Sequence, residues 1–504
     1  MCQVDEEYHD HITRHDAPRA STSCVKCKEA CAAVVVRVGD AYCRICFKEF
    51  FTHKFRAMLG KTRLVFPGEK VLLAVSGGPS SSSMLALVQE GLSQKAHKKL
   101  RFTPGIVYID EGGAVGLSME ERQKTVTLLQ TVFKDTGFPF YIVPLEQVLD
   151  LPTSVLVAMP PSHRPSDTYK AAVHHFLQSD SSVCVTSAEQ ENMASVETSH
   201  TLALQRVLSS AQTLTARDEL LSTLRQHLLV HKARTEGYSK LMMGDSCTRL
   251  AVKLLTSISL GRGAQVAQDT GFSDSRYGDI ITVRPMRDYT AKEIAFYNHL
   301  FNVSSVATPT LDTKAGDKAS IQRLTESFVT KLQVNFPSTV STIYRTSEKL
   351  QTTHRNTPPN QNRDTPPDQH GDACLLCMCT MDASAEKASA FQATLISEEL
   401  SVLKLHDAPT PNQQRSASVA PCSSSDCGRE TNDGRCCSSD QDAAVTDFRA
   451  LLCYSCQRTV KEMSSVKSLP LYIQSEAQLR HRRIQMKEQI HDFLLEDDDD
   501  DDDD

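Results

Sequence analysis

The sequence predicts an α/β protein: a doubly wound parallel sheet, with small four-cysteine elements in the N- and C-terminal regions. Three observations predict it. Val71–Val75 is an uninterrupted apolar run, the pattern of a strand buried on both faces. It breaks at Ser76-Gly77-Gly78-Pro79, and helical apolar spacing resumes through Met84, Leu85, Leu87 and Val88. Strand-like and helix-like stretches then alternate to about residue 351, as a parallel sheet requires, because each pair of parallel strands needs a crossover. Cysteines in CxxC pairs bracket this region on both sides.

In chain order, residues 1–23 read as a disordered N-terminus and 24–60 as a metal knuckle with its linking helix. Val34-Val35-Val36 and Gly39-Asp40 suit a small hairpin inside the knuckle. Phe47, Phe50, Phe51, Phe55, Met58 and Leu59 recur at helical spacing directly after it. Lys48, Lys54, Arg56, Lys61 and Arg63 surround that face, either as solvated cations or as phosphate contacts.

The α/β domain is expected over 61–351. Ile106–Asp110 reads as its second strand, with Glu111-Gly112-Gly113 at the C-terminal end, where ligands sit in open sheets. Asp110 or Glu111 there suits a nucleotide ribose, a metal, or simply a helix cap or turn. Ser118 with Glu121 forms a capping box opening a helix through about Lys134, and Phe140–Val143 is a third strand. Residues 151–198 are irregular, with Val183-Cys184-Val185 as a short candidate strand. Thr215 with Asp218 reads as a helix start that runs to Gly237, followed by a strand from Lys240 into the loop at Gly244. Cys247–Leu260 reads as a helix with Leu250, Leu254 and Ile258 on one face. Ile280–Arg284 is the last strand, Thr290 with Glu293 caps a helix through Leu300, and two helical stretches occupy about 318–351. Residues 352–373 form a polar, Pro-rich linker. Residues 374–496 are a Cys-rich region with a low-complexity insertion at about 407–441 and a last helix near 475–495, and 497–504 are an acidic tail.

With 40% hydrophobic residues in 504, a sizeable core is available. No apolar run approaches the eighteen or so residues of a membrane span, and the acidic, His-rich start is unlike a secretory signal, so a cytoplasmic protein with no membrane partner is expected. Net charge is −7, of which Asp497–Asp504 contributes −8, so the remainder is near +1. That is no general nucleic-acid footprint; any RNA contact must use local patches.

Seventeen cysteines without a signal peptide favour metal ligands over disulfides. Cys24, Cys27, Cys43 and Cys46 form CxxC-x15-CxxC, two tight turns whose four thiolates close a tetrahedron around structural zinc. Cys31 is left over, and a RING would need eight ligands. Cys374, Cys377, Cys453 and Cys456 make a second candidate set across a long insertion, since loop closure cost grows only with the logarithm of length. Cys379 follows the first pair, and Cys422, Cys427, Cys436 and Cys437 inside the insertion read as free thiols. One or two zinc sites are therefore expected.

The Gly-Gly break supplies the candidate nucleotide or phosphate site: Ser76, Gly77, Gly78, Ser80 and Ser81. Backbone N–H groups freed by the glycines and the first helical turn would point at one spot, where the helix dipole is positive. An ordinary βα turn uses the same residue types. The stretch fits neither GKS/T nor GxGxxG. It resembles the SGGxDS signature of the PP-loop ATP pyrophosphatases, which implies a Rossmann-like sheet of the PP-loop/HUP type and a site for ATP and Mg²⁺. Ser80 stands where that signature has aspartate, and Pro79 where it usually has Lys or Met. Catalytic relatives also carry a GHNxDD-like stretch; Met243–Arg249 keeps Gly244 but lacks the paired aspartates. Relatives use core cysteines, whereas only Cys184 and Cys247 lie between 47 and 373. Cys247 sits at a helix N-terminus, either with a lowered pKa or as a buried structural thiol.

Together the knuckle, FxxHKFRAMLGK, GEKVLLAVSGGPSSSSML, YIDEG, CLLCMC and LCYSC resemble the second-subunit family of the cytoplasmic tRNA 2-thiolation complex, over nearly the whole chain. The resemblance implies a heterodimer with a catalytic PP-loop subunit. The pair would replace the 2-oxygen of the wobble uridine (position 34) in tRNAs for Lys, Glu and Gln with sulfur from a thiocarboxylated ubiquitin-related modifier. This chain would be the supporting partner with no catalytic residues. Two alternatives stand beside it: an active adenylating sulfurtransferase, and a zinc-dependent interaction module without an RNA role.

Overall fold

The computed structural model describes residues 23–160, 196–349, 373–381 and 448–491, less positions 38, 95, 97, 98, 312, 314, 337 and 348. The expected disordered N-terminus, the strand at Val183–Val185, the linker, the low-complexity insertion with its four cysteines, and the acidic tail all fall outside these residues.

β1 (Val34–Val35) and β2 (Ala41–Tyr42) pair antiparallel, forming the expected hairpin between the first two CxxC pairs. α1 (Arg44–Thr62) follows at once and buries Phe47, Phe51, Phe55 and Leu59 of the apolar stripe read from the sequence, with Phe50 and Met58 partly buried. The sheet then starts with β3 (Lys70–Ala74), α2 (Pro79–Leu92) and β4 (Thr103–Asp110). Next come α3 (Gly112–Val115), α4 (Met119–Lys134) and β5 (Phe140–Pro144). Ser118 and Glu121 cap α4 reciprocally, as expected. α5 (Thr198–Ser210) and α6 (Leu214–Thr235) lead to β6 (Lys240–Met243). α7 (Cys247–Ser259), α8 (Val266–Thr270), β7 (Ser273–Asp274) and β8 (Ile281–Val283) follow. α9 (Ala291–Phe301), α10 (Ile321–Asn335) and α11 (Thr339–Ser347) precede the C-terminal helices α12 (Tyr454–Lys461) and α13 (Leu471–His491).

The strand order is β5-β4-β3-β6-β8-β7. Five strands are parallel, and only the two-residue edge strand β7 runs antiparallel, against β8. The chain winds outward from β3 in one direction and then, from β6, in the other. The switch point therefore lies between β3 and β6, where the Ser76–Gly78 loop leaves the sheet. Alternation along β3 splits the core in two. Val71 and Leu73 join α1, α2, α4 and α9 on one face, while Leu72 joins α5, α6 and the C-terminal segment on the other. Tyr472 and Ile473 of α13 are buried in that second core, whereas residues 482–490 of the same helix are exposed. The last helix thus begins inside the domain and ends on its surface.

Two expectations need correction. α6 is capped by Thr213, whose hydroxyl accepts the Ala216 N–H; Thr215 is already inside the helix, and its hydroxyl accepts the N–H of Ile321 at 3.1 Å. Ile258 is 51% exposed, so the buried face of α7 is Leu250, Ala251 and Leu254 without it. α5 begins where the irregular stretch ends, in residues for which no element was expected, and its Leu204, Val207 and Leu208 are buried.

Candidate functional site

The loop after β3 has the backbone of an anion cradle. Gly77 sits at φ +81°, which only glycine adopts without strain, and a Cβ there would lie 3.0 Å from Leu129 Cδ2. Gly78 caps α2 with no side-chain hydrogen bond, Pro79 follows at the first helical position, and the first helical bond is Ser82 N–H to Gly78 O. The serine hydroxyls, however, turn inward. Ser81 donates to Gly78 O (3.0 Å), Ser82 to Gly77 O (3.1 Å) and Ser83 to Pro79 O (2.9 Å), while Ser76 and Ser81 face each other at 3.3 Å. Ser80 donates across the switch point to Gly244 O. Gly244 lies so close that a Cβ on it would meet Ser81 Cα at 2.8 Å. From the other side, Val306 N–H bonds to Gly77 O at 2.8 Å. The five residues singled out from sequence are thus brought together, but their side chains hold the loop to itself and to its neighbours.

The carboxylates at the strand ends are equally committed. Asp110 and Glu146, at the ends of β4 and β5, share the buried Arg122, at 2.7 Å each. Asp110 also accepts the Gly112 N–H at 2.9 Å. Glu111 pairs with Arg225 of α6 in a two-pronged contact. Asp245, after β6, lies 3.4 Å from Arg284 and 3.8 Å from Arg249. Burial works against its charge, but Arg284, Lys253 and Arg249 outweigh burial and hold the carboxyl below its ordinary value. Every acidic residue within two positions of the C-terminal ends of β4, β5 and β6 therefore faces a guanidinium. Asp110 takes the turn role foreseen as one option, whereas Glu111 makes no side-chain cap bond and serves as an ion-pair partner; the arginines that occupy them carried no sequence signal.

Cys247 is a buried thiol. It is 2% exposed, and burial pushes it up to about 12, overriding any pull from the helix terminus and nearby Lys54. The reactive option at this position is thereby corrected.

The cysteines form two clusters of one design. In the first, the thiol sulfurs of Cys24, Cys27, Cys43 and Cys46 all lie within 4.8 Å of one another. Cys27 and Cys43 are 3.9 Å apart, close to the roughly 3.8 Å edge of a tetrahedron with metal–sulfur bonds of about 2.3 Å. Lys28, at φ 60°, turns the chain so that its N–H reaches Cys24 O, and Cys43 is the N-cap of α1. The second cluster repeats this geometry: Met378, at φ 57°, reaches Cys374 O, and Cys453 is the N-cap of α12. Burial opposes ionisation of Cys24, yet main-chain donors of Cys27, Cys43 and Lys26 bring it down to about 6, whereas burial and its neighbours push Cys46 up to about 12. Four thiols this close together are a donor set for a soft cation. Cys31 is exposed and stands outside.

In the second cluster the four mutually close thiols are Cys374, Cys377, Cys379 and Cys453. Cys377 lies 3.1 Å from Cys379 and 3.6 Å from Cys453. Cys456, expected in the set, is not one of these four; it interacts with Cys374, Cys377 and Cys453 beside them and receives Arg262 Nη2 at 3.9 Å. The pocket therefore holds five thiols, and Cys379, left out of the sequence-derived set, is a full member. The CxxCxC spacing was the available signal.

The family model described as cytoplasmic tRNA 2-thiolation protein 2 matches residues 320–458. A protein of that name from Danio rerio is 54% identical, with 99% of each chain covered. One from Homo sapiens is 49% identical over 99% of this chain and 98% of its own. Among solved structures, the U34-tRNA thiolase NcsA from Methanococcus maripaludis with its [4Fe-4S] cluster aligns at a TM-score of 0.44 and 14% identity, covering 66% of this chain and 89% of that one.

Proposed function

The chain belongs to the cytoplasmic tRNA 2-thiolation protein 2 family, and from that premise we propose that it is the supporting subunit of a cytoplasmic heterodimer that 2-thiolates the wobble uridine of tRNAs for Lys, Glu and Gln. Its partner is a catalytic PP-loop subunit, and the sulfur comes from a thiocarboxylated ubiquitin-related modifier. Uridine O2 is a poor leaving group, so ATP must adenylate it first, and that step needs carboxylates to hold Mg²⁺ on the phosphates. The observation that carries a supporting role is the commitment of those carboxylates: Ser80 stands at the signature aspartate, and Asp110, Glu111, Glu146 and Asp245 all pair with arginines. Binding of ATP by the remaining backbone cradle is compatible with this reading; turnover is not.

Both thiol clusters fit zinc in a structural role. Cys24, Cys27, Cys43 and Cys46 would hold one ion, and four of the five C-terminal thiols another. Such ions would clamp the hairpin to α1 and the Cys374–Cys379 turn to α12. No helix among the described residues is long and apolar enough to cross a membrane.

The test is reconstitution. Purified alone, the chain should release no pyrophosphate from Mg·ATP with tRNA and should leave the uridine unthiolated. With the PP-loop partner present, thiolation should require both chains. Thiolated tRNA made by this chain alone would overturn the assignment.

A further inference from the structure

A cavity of about 570 Å³ opens where the β1–β2 hairpin, α1, the segment before α9 and α11 meet. The β1–β2 hairpin contributes Arg37 and Asp40, α1 contributes a stripe from Phe50 to Lys61, and α11 contributes Tyr344 and Arg345. Its cations outnumber its acids, and the acids are partly spent: Asp288 accepts the Tyr344 hydroxyl at 2.6 Å. Lys54 is already held by Glu293, at 2.9 Å, and lies over the Tyr289 ring. Arg37, Lys61 and Arg345 are different. They are exposed, and none makes an ion pair with any described residue. Three uncommitted cations from three separate segments thus face one opening, with His53 beside them.

We propose that this cleft is the chain's RNA contact, with Arg37, Lys61 and Arg345 gripping the phosphodiesters of a single-stranded tRNA segment. The inference rests on the tRNA-directed role proposed above and names the surface that serves it. The cavity is the size of a small-ligand pocket, enough for about one nucleotide unit and far too small for a duplex. Proteins grip single-stranded RNA by pairing cations with aromatic walls; the half-buried Phe50 lines this pocket, while Tyr344 is buried beneath Arg287 and serves to position α11. It also supplies the local basic patch that a chain of near-neutral bulk charge needs. The α11 side belongs to the stretch matched by the family model, so the site joins the N-terminal cysteine hairpin to that stretch.

The test uses the full chain with its PP-loop partner and measures tRNA affinity across a salt series. The triple variant Arg37→Glu, Lys61→Glu, Arg345→Glu should weaken tRNA binding at least about tenfold at low salt and flatten the log K against log[salt] slope by about 2. The neutral variant with Gln at all three positions should fall between. Lys124→Glu, an exposed charge change on α4, should alter neither quantity. An unchanged affinity and slope in the triple variant, while the wild type binds tRNA, would overturn the cleft and leave the subunit assignment standing. No tRNA binding by the wild-type complex would overturn both. Two other outcomes would also overturn it: displacement of tRNA by ATP alone through these side chains, which assigns the cleft to a mononucleotide, and loss of partner binding with tRNA affinity intact, which assigns it to a protein.

Discussion

Ser80 donates its hydroxyl hydrogen bond to the main-chain carbonyl of Gly244, tying the first turn of α2 to the loop that leaves β6. The residue in the signature aspartate position is therefore a strut across the switch point. An anion placed there would set a carboxylate against a carbonyl oxygen, two acceptors with no proton between them.

Ser80→Asp should accordingly cost stability without gaining activity. Loss of the hydrogen bond and the poorly paired acceptor together cost about 1–3 kcal/mol. Urea denaturation should show a lower midpoint at unchanged slope, and pyrophosphate release from Mg·ATP should stay at background. Appearance of turnover in this single variant would mean that the rest of the catalytic pocket is intact.

Arg122 is the keystone of the strand-end charges, bridging Asp110 and Glu146 with all three side chains at most 4% exposed. Arg122→Met should destabilise the fold by about 3–5 kcal/mol, because two buried carboxylates lose their cation. Adding Asp110→Asn and Glu146→Gln should recover much of that loss. A triple variant no more stable than the single one would show that packing of the arginine stem, rather than its charge, dominates.

The five-thiol pocket makes an analytical prediction. Metal content measured on purified chain should be one ion per cluster, zinc, with no visible charge-transfer absorption. Cys379→Ser should lower the C-terminal occupancy as Cys377→Ser does, since both sulfurs sit inside the close set. Iron with a broad visible band would replace zinc by a cluster and identify the fifth thiol as part of a different donor set.

Much of this arrangement was legible in sequence, and the boundary of legibility is physical. Val71–Val75 announced a buried strand because a parallel strand is apolar on both faces. Capping at Ser118–Glu121 and Thr290–Glu293 was legible because the partners lie one helical turn apart. Arg122 with Glu146, Arg225 with Glu111 and Arg284 with Asp245 were not, since each pair is joined only by the winding of the sheet. The same distance in sequence hid the union of Arg37 with Arg345. Cys379 was visible but set aside, because a tetrahedron needs only four ligands and sequence offers no way to choose among five.

His227 makes the fold pH-dependent. It lies fully buried on α6, with Nδ1 2.7 Å from the Tyr472 hydroxyl of α13 and Nε2 2.8 Å from the Leu376 carbonyl between two cluster cysteines. A neutral ring satisfies both contacts, accepting from the tyrosine and donating to the carbonyl. Burial dominates its protonation and brings it down from 6.5 to about 4, although Leu376 O and the charge of Cys377 pull the other way. Above about pH 6.5 the ring is neutral in both folded and unfolded chains and contributes no pH dependence. Below that the unfolded chain takes up a proton that the folded one refuses, so stability falls as pH drops from about 6.5 to 4, by about 3 kcal/mol in total. Thiolate protonation at the clusters adds its own acid sensitivity, and a paired measurement separates the two. His227→Gln should be less stable at pH 7.5 by about 1–3 kcal/mol, from disturbed buried hydrogen bonds. Its deficit should then shrink as the pH is lowered, because the variant has no ring to protonate. Urea midpoints of both proteins between pH 7.5 and 4.5 give that difference directly, and a deficit that stays constant across the range would show that His227 is not held neutral by the fold.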